Sequence, residues 1–419
     1  MSELLITRAA QLVTLAGPAR PRVAREMREL GVVEDGAVLV RDGLIVACGP
    51  SGEIEPRAST GAARIDARGL VVMPGFVDAH THVVFAGTRE DEYELRAEGA
   101  TYQEIAARGG GIRSTVRKTR AASEDRLFET ALPRIRSLLE HGTTTAEAKS
   151  GYGLTVEDEL KILRVIRRLD RETPLDLVPT FLGAHEIPDE YRDSREAYIA
   201  LVVDEMLPRV AEEKLAEYCD VFCESGVFTV NESRRVLARA KELGLGVRLH
   251  AEQLSLSGGG RLSAELGAAT ADHLEWVDDD GIDSLRRAGV IAVLLPGAVF
   301  NLGLTRYPPA RKMIESNLAV AVATDFNPGS SPTPSMQMAL SIACTQMRMT
   351  PAEAITAATI NAAYSLGRGR GAGSLEAGKQ GDIVIFDCAD YRQIPYFFGV
   401  NHARVVIKSG RVVIDRRDA

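Results

Sequence analysis

Apolar residues fall in short runs along the middle of the chain, and longer amphipathic stretches separate them. The first run covers 71–73 and continues through Phe76 and Val77. Further runs cover 143–146, 175–182, 218–223, 246–250, 268–273, 290–295 and 319–324, making eight candidate strands. Most are continuous rather than alternating, as expected of parallel strands covered on both faces. The stretches between them read as helices. Thr155 stands where it would cap a helix with Ile162, Val165, Ile166 and Leu169 on one stripe. Asn231 stands likewise before Val236, Leu237, Ala240 and Leu243, and Gly244 closes that helix. Eight strand–helix units in about 290 residues predict an α/β fold, a (β/α)8 TIM-type barrel over residues 71–369.

The two ends have a different texture. Residues 37–40 and 44–47 flank Arg41-Asp42-Gly43, a hairpin signal. Residues 382–386, 404–408 and 411–414 repeat the pattern around Ser409-Gly410. Neither end is long enough to bury a core alone. Residues 1–70 and 370–419 are therefore expected to meet in one small β-sandwich domain.

Barrels of this type carry their active sites at the C-terminal ends of the strands. The polar residues at those ends are His80 and His82, Glu147 with Lys149, His185, Glu224, His250, His273 and Asp325. Five of the seven histidines end a predicted strand, while His141 and His402 read as surface or structural. Strand alternation puts His80 and His82 on one face, with Cβ atoms about 7 Å apart, as two imidazoles closing on one ion require. With His250 and Asp325 they make a set suited to zinc or iron, with one coordination position left for water. Such an ion lowers the pKa of water towards neutrality. Asp325 is then a candidate to move a proton to a leaving nitrogen, and His273 to stabilise an oxyanion. A second metal would need a bridging group. Glu224 is the candidate for that, and a single ion is preferred.

Composition narrows the partners. A net charge of −8 argues against nucleic acid and anionic membranes. The longest apolar run, 290–300, contains Pro296 and Gly297 and is too short to span a bilayer. The five cysteines show no metal or redox spacing, which fits a reducing, cytoplasmic setting. The triple-glycine stretches at 109–111 and 258–260 lack the lysine of a phosphate loop and read as hinge or substrate-loop segments.

Several motifs together resemble the amidohydrolase superfamily and, within it, the imidazolonepropionase family. They are Asp78-Ala79-His80-Thr81-His82, Phe85-Ala86-Gly87-Thr88-Arg89, Ala148-Lys149-Ser150-Gly151-Tyr152-Gly153, Phe181-Leu182-Gly183-Ala184-His185, His250-Ala251-Glu252-Gln253 and Asp325-Phe326-Asn327-Pro328-Gly329-Ser330-Ser331. The resemblance covers nearly the whole chain. It implies hydrolysis of the cyclic amide of 4-imidazolone-5-propanoate to N-formimidoyl-L-glutamate in histidine degradation, with one metal ion, and a homodimer. It further implies that Arg89 clamps the substrate carboxylate and that Tyr152 and His185 bond the ring or carboxylate. Asn327, Gly329 and Ser330 would form a polar collar, with glycine letting backbone N–H groups approach closely. Related deaminases place a glutamate three residues after the third metal histidine. Here that position holds Gln253, with Glu252 one earlier, so both are candidate catalytic residues and the proton work shifts towards Asp325. Two other readings are a nucleobase aminohydrolase on the same scaffold and a non-catalytic barrel protein. An idle Arg89 would mark the first, and lost metal ligands the second.

Overall fold

The computed structural model describes residues 2–100, 104 and 109–417. Its centre is an eight-stranded sheet of parallel strands in sequence order. The strands are Phe76–Asp78, Thr143–Lys149, Asp176–Ala184, Tyr218–Cys223, Gly246–Ala251, Thr270–His273, Ile291–Leu294 and Val320–Val322. The first and last are joined just beyond their ends. Thr81 bridges Phe326, His82 N donates to Phe326 O at 2.8 Å, and Asp325 N donates to His80 O at 3.1 Å. The seam that closes the barrel is thus also the place where His80, His82 and Asp325 meet.

Apolar side chains facing outward pack against the surrounding helices, while Val77, Val178, Val293, Leu295 and Ala321 form a smaller cluster of their own. The helix Val156–Glu172 begins at Thr155, whose side chain accepts from Asp158 N, as expected. The helix Val230–Glu242 is capped by Thr229, not Asn231. Thr229 forms a capping box with Glu232, which satisfies two backbone donors where Asn231 would satisfy one.

Strands from both ends join in a second, mixed eight-stranded sheet. Leu4, Ile6, Val38, Val40, Ile383, Ile385, Val405 and Ile407 pack together in its core. The run from Val71 to Val77, read as one strand, is two. Val71–Pro74 pairs with Ile383–Phe386 in the end-derived sheet, and Phe76–Asp78 starts the barrel. The break is at Gly75, where a Cβ would lie 2.3 Å from the Thr144 hydroxyl oxygen. Among the described residues no helix is long and apolar enough to cross a membrane.

Candidate active site

His80, His82 and His250 present nitrogen atoms within 4.8 Å of one another, and all three residues are buried. Asp325 completes the group, its Oδ1 3.5 Å from His80 Nε2 and 3.7 Å from His82 Nε2. Two of the three rings are aimed from behind. His80 Nδ1 lies 2.7 Å from Asp272 Oδ2, and His250 Nδ1 lies 2.9 Å from Asp220 Oδ2. Such carboxylate partners fix the ring tautomer and leave Nε2 with its lone pair exposed. His80 Nε2 is buried and has no hydrogen-bond partner. Burial, and then neighbouring cations and imidazoles, hold the pKa of His80 and of His82 well below the usual histidine range. Both rings are therefore neutral, the form that binds metal. Burial pushes Asp325 up, against the pull of His273 and His250. Neutral imidazoles around an unpartnered nitrogen, beside a buried carboxylate, fit one divalent cation.

Below this group lies a layer of fully buried charge. Lys149 Nζ is 2.7 Å from Glu147 and from Asp220, and 3.7 Å from Asp272. Arg248 Nε is 3.1 Å from Glu147, and Arg248 also donates to the carbonyls of Ala79 and Ser365. Asp220, Asp272 and Arg248 went unassigned in the sequence. Their signal was present: each interrupts an otherwise apolar strand, and Arg248 shares a strand face with His250.

The chain matches the amidohydrolase family over residues 71–413. It is 57% identical to an imidazolonepropionase of Solibacter usitatus (strain Ellin6076) over 416 residues, covering 99% of this chain and all of that one. The chain belongs to the imidazolonepropionase family. An imidazolonepropionase of Geobacillus kaustophilus (strain HTA426) is 50% identical, with 99% of each chain covered. A solved adenosine deaminase from Xanthomonas campestris with bound zinc shares the fold. Its TM-score is 0.74 at 21% identity, covering 100% of this chain and 94% of that one. Membership makes this a metal-dependent hydrolase acting on C–N bonds of a small molecule.

The residues expected to face substrate line a cavity of about 560 Å³ above the imidazoles. His82, Arg89, Tyr152, His185, His250, Gln253, His273, Asp325, Asn327, Gly329 and Ser330 all reach it. His185 Nδ1 donates to Gly151 O at 2.9 Å, so Nε2 is left as an acceptor. Burial, then His250, lowers its pKa to about 3, so the ring stays neutral. Tyr152 is buried against the rings of His82 and His185. His273 has a left-handed backbone, φ 77°, and its ring lies 5.4 Å from that of His250. Burial opposes its charge, but Glu275, Asp325 and Asp272 hold its pKa above the ordinary value.

Three expectations need correction. Glu252 does not line the cavity. The strand ends at Ala251, Glu252 turns with φ 56°, and its carboxylate accepts from Gly260 N at 3.3 Å. Gln253 is the residue that faces the cavity. The collar also works differently. Asn327 Oδ1 accepts the N–H groups of both Gly329 and Ser330 at 2.8 Å, so these donors serve the loop. What the missing side chain at Gly329 admits is Arg89: a Cβ there would lie 2.2 Å from Arg89 Nη1. Glu224 accepts from Leu254 N and Ser225 N at 2.8 Å, holding loops rather than standing open as a bridge.

Proposed function

We propose that the protein hydrolyses the ring amide of 4-imidazolone-5-propanoate to N-formimidoyl-L-glutamate. One observation carries this reading: the guanidinium of Arg89, with a buried and unpartnered Nη2, shares a cavity with the imidazole cluster. A single zinc or iron ion bound by His80, His82, His250 and Asp325 would supply Lewis acidity and an acidified water. Arg89 pairs with the propanoate carboxylate, a match of planar donors that lysine cannot make. His185 Nε2 accepts from a ring N–H, and Tyr152 and Gln253 fix the ring's tilt. Asp325 accepts a proton from the attacking water as the new C–O bond forms. His273 donates to the carbonyl oxygen as negative charge gathers there. Asp325 then passes its proton to the ring nitrogen as the C–N bond breaks.

The net charge of −8 supports a small-molecule partner over nucleic acid, and thiols without disulfides support the cytoplasm. Exposed Tyr396, Phe397, Phe398 and Val400 support a homodimer. The test is turnover of freshly generated imidazolone propanoate, followed by its absorbance decay, with cytosine and guanine as alternatives. The acid should be consumed by the native protein, and by His250→Ala at a rate lower by several orders of magnitude. Equal rates for the two proteins, or a preference for either base, would overturn the proposal.

A further inference from the structure

Arg89 is held by a helix that contributes none of the proposed metal ligands. The helix Ile112–Ala121 starts at Gly111, whose N–H bonds to Glu92 at 2.8 Å. Thr115, Lys118 and Thr119 share one face of it, by their spacing of three and four residues. That face grips the loop after the first barrel strand at three points. Thr119 Oγ1 accepts from Ala86 N at 3.1 Å, and Lys118 Nζ donates to Thr88 O at 2.9 Å. Thr115 Oγ1 accepts from Arg89 Nε at 2.8 Å, and Thr115 is buried. From the other side, Nη1 rests where a Gly329 side chain would be. Nη2 is left buried and unpartnered.

We infer that Thr115 is a positioning residue for carboxylate recognition, acting through Arg89, with Gly329 providing the opposing wall. This rests on the reading of Arg89 as the clamp. A guanidinium can meet a carboxylate through Nε and Nη2 or through Nη1 and Nη2. With Nε bonded to Thr115, only the end formed by Nη1 and Nη2 remains. Thr115 therefore selects the approach of the acid and fixes the distance between its carboxylate and the ring.

The test compares Thr115→Val, Thr115→Ser, Gly329→Ala and Arg89→Gln with the native protein on freshly generated imidazolone propanoate, with bound metal measured for each. Valine matches threonine in shape but lacks the acceptor. It should raise KM about 10- to 100-fold, the effect of losing a hydrogen bond to a charged group, with kcat changed less than about threefold and metal content unchanged. Serine should restore KM. Gly329→Ala, which crowds the guanidinium without touching Thr115, should raise KM as well. If Arg89→Gln raises KM while Thr115→Val and Gly329→Ala leave it within about twofold, the positioning role is wrong and the clamp survives. If Arg89→Gln itself leaves KM unchanged, the clamp is wrong and the role of Thr115 falls with it.

Discussion

Replacing Lys149 by methionine tests whether buried charge holds the barrel beneath the active site. Lys149 Nζ stands 2.7 Å from Glu147 and Asp220 and 3.7 Å from Asp272, with none of the four side chains exposed. Burial disfavours the ammonium, but Asp220 and Glu147 outweigh it and keep the lysine pKa above its ordinary value. Methionine is likewise unbranched, is one atom shorter, and removes the charge. Arg248 is then the cation left to face those carboxylates among the described residues. Breaking a buried ion pair by removing one partner costs about 3–5 kcal/mol. At about 2–4 °C per kcal/mol for a domain of this order, Tm should fall by roughly 6–20 °C. Calorimetry at pH 7 reads this directly, with and without chelator, so that lost metal is separated from a weakened barrel. Arg234→Met is the control. Its partner Glu265 is exposed, and such a surface pair contributes little. A Lys149→Met protein melting within about 2 °C of native would show that the cluster does not stabilise the barrel.

Two further outcomes follow from the same contacts. Asp272→Asn and Asp220→Asn remove the groups behind His80 and His250, so each should weaken metal retention about 10- to 100-fold in competition with a chelator; unchanged retention would refute that function. Glu353 accepts from Arg311 at 3.0 Å and from Thr350 N at 2.7 Å, and despite burial these partners and Arg28 lower its pKa from 4.5 to about 2. A depressed carboxylate pKa stabilises the fold above the unfolded value and loses that contribution as pH falls towards the folded one. The Tm advantage of the native protein over Glu353→Gln should therefore be full near neutrality and shrink below pH 4.5. An advantage independent of pH would refute it.

How legible these features were depended on the physics behind each. Parallel barrel strands are covered on both faces, so their apolar runs stand out, and all eight were placed within a few residues. Reactive groups at strand ends were also legible, because the barrel brings those ends together whatever the side chains are. The run of 143–146 was read too short for a specific reason. Glu147 and Lys149 look like the end of a strand, yet they continue it to Lys149 because they neutralise one another. The same blindness hid Asp220, Asp272 and Arg248. A hydrophobic pattern scores each charge alone, whereas burial depends on partners brought from other strands. Gly329 was misread because the atom it makes room for belongs to a residue 240 positions earlier in the chain.

The hidden charges and the visible histidines form one construction. Lys149 contacts Asp220 and lies near Asp272, and those two carboxylates stand behind His250 and His80. The ionic layer therefore couples the packing of the barrel to the aim of the imidazoles. Strand ends alone would set the histidine rings only as precisely as flexible side-chain torsions allow. Carboxylates held by buried cations narrow that freedom. An apolar layer of the same volume would support the barrel at least as well, but it would leave the imidazoles of His80 and His250 without a fixed tautomer or direction.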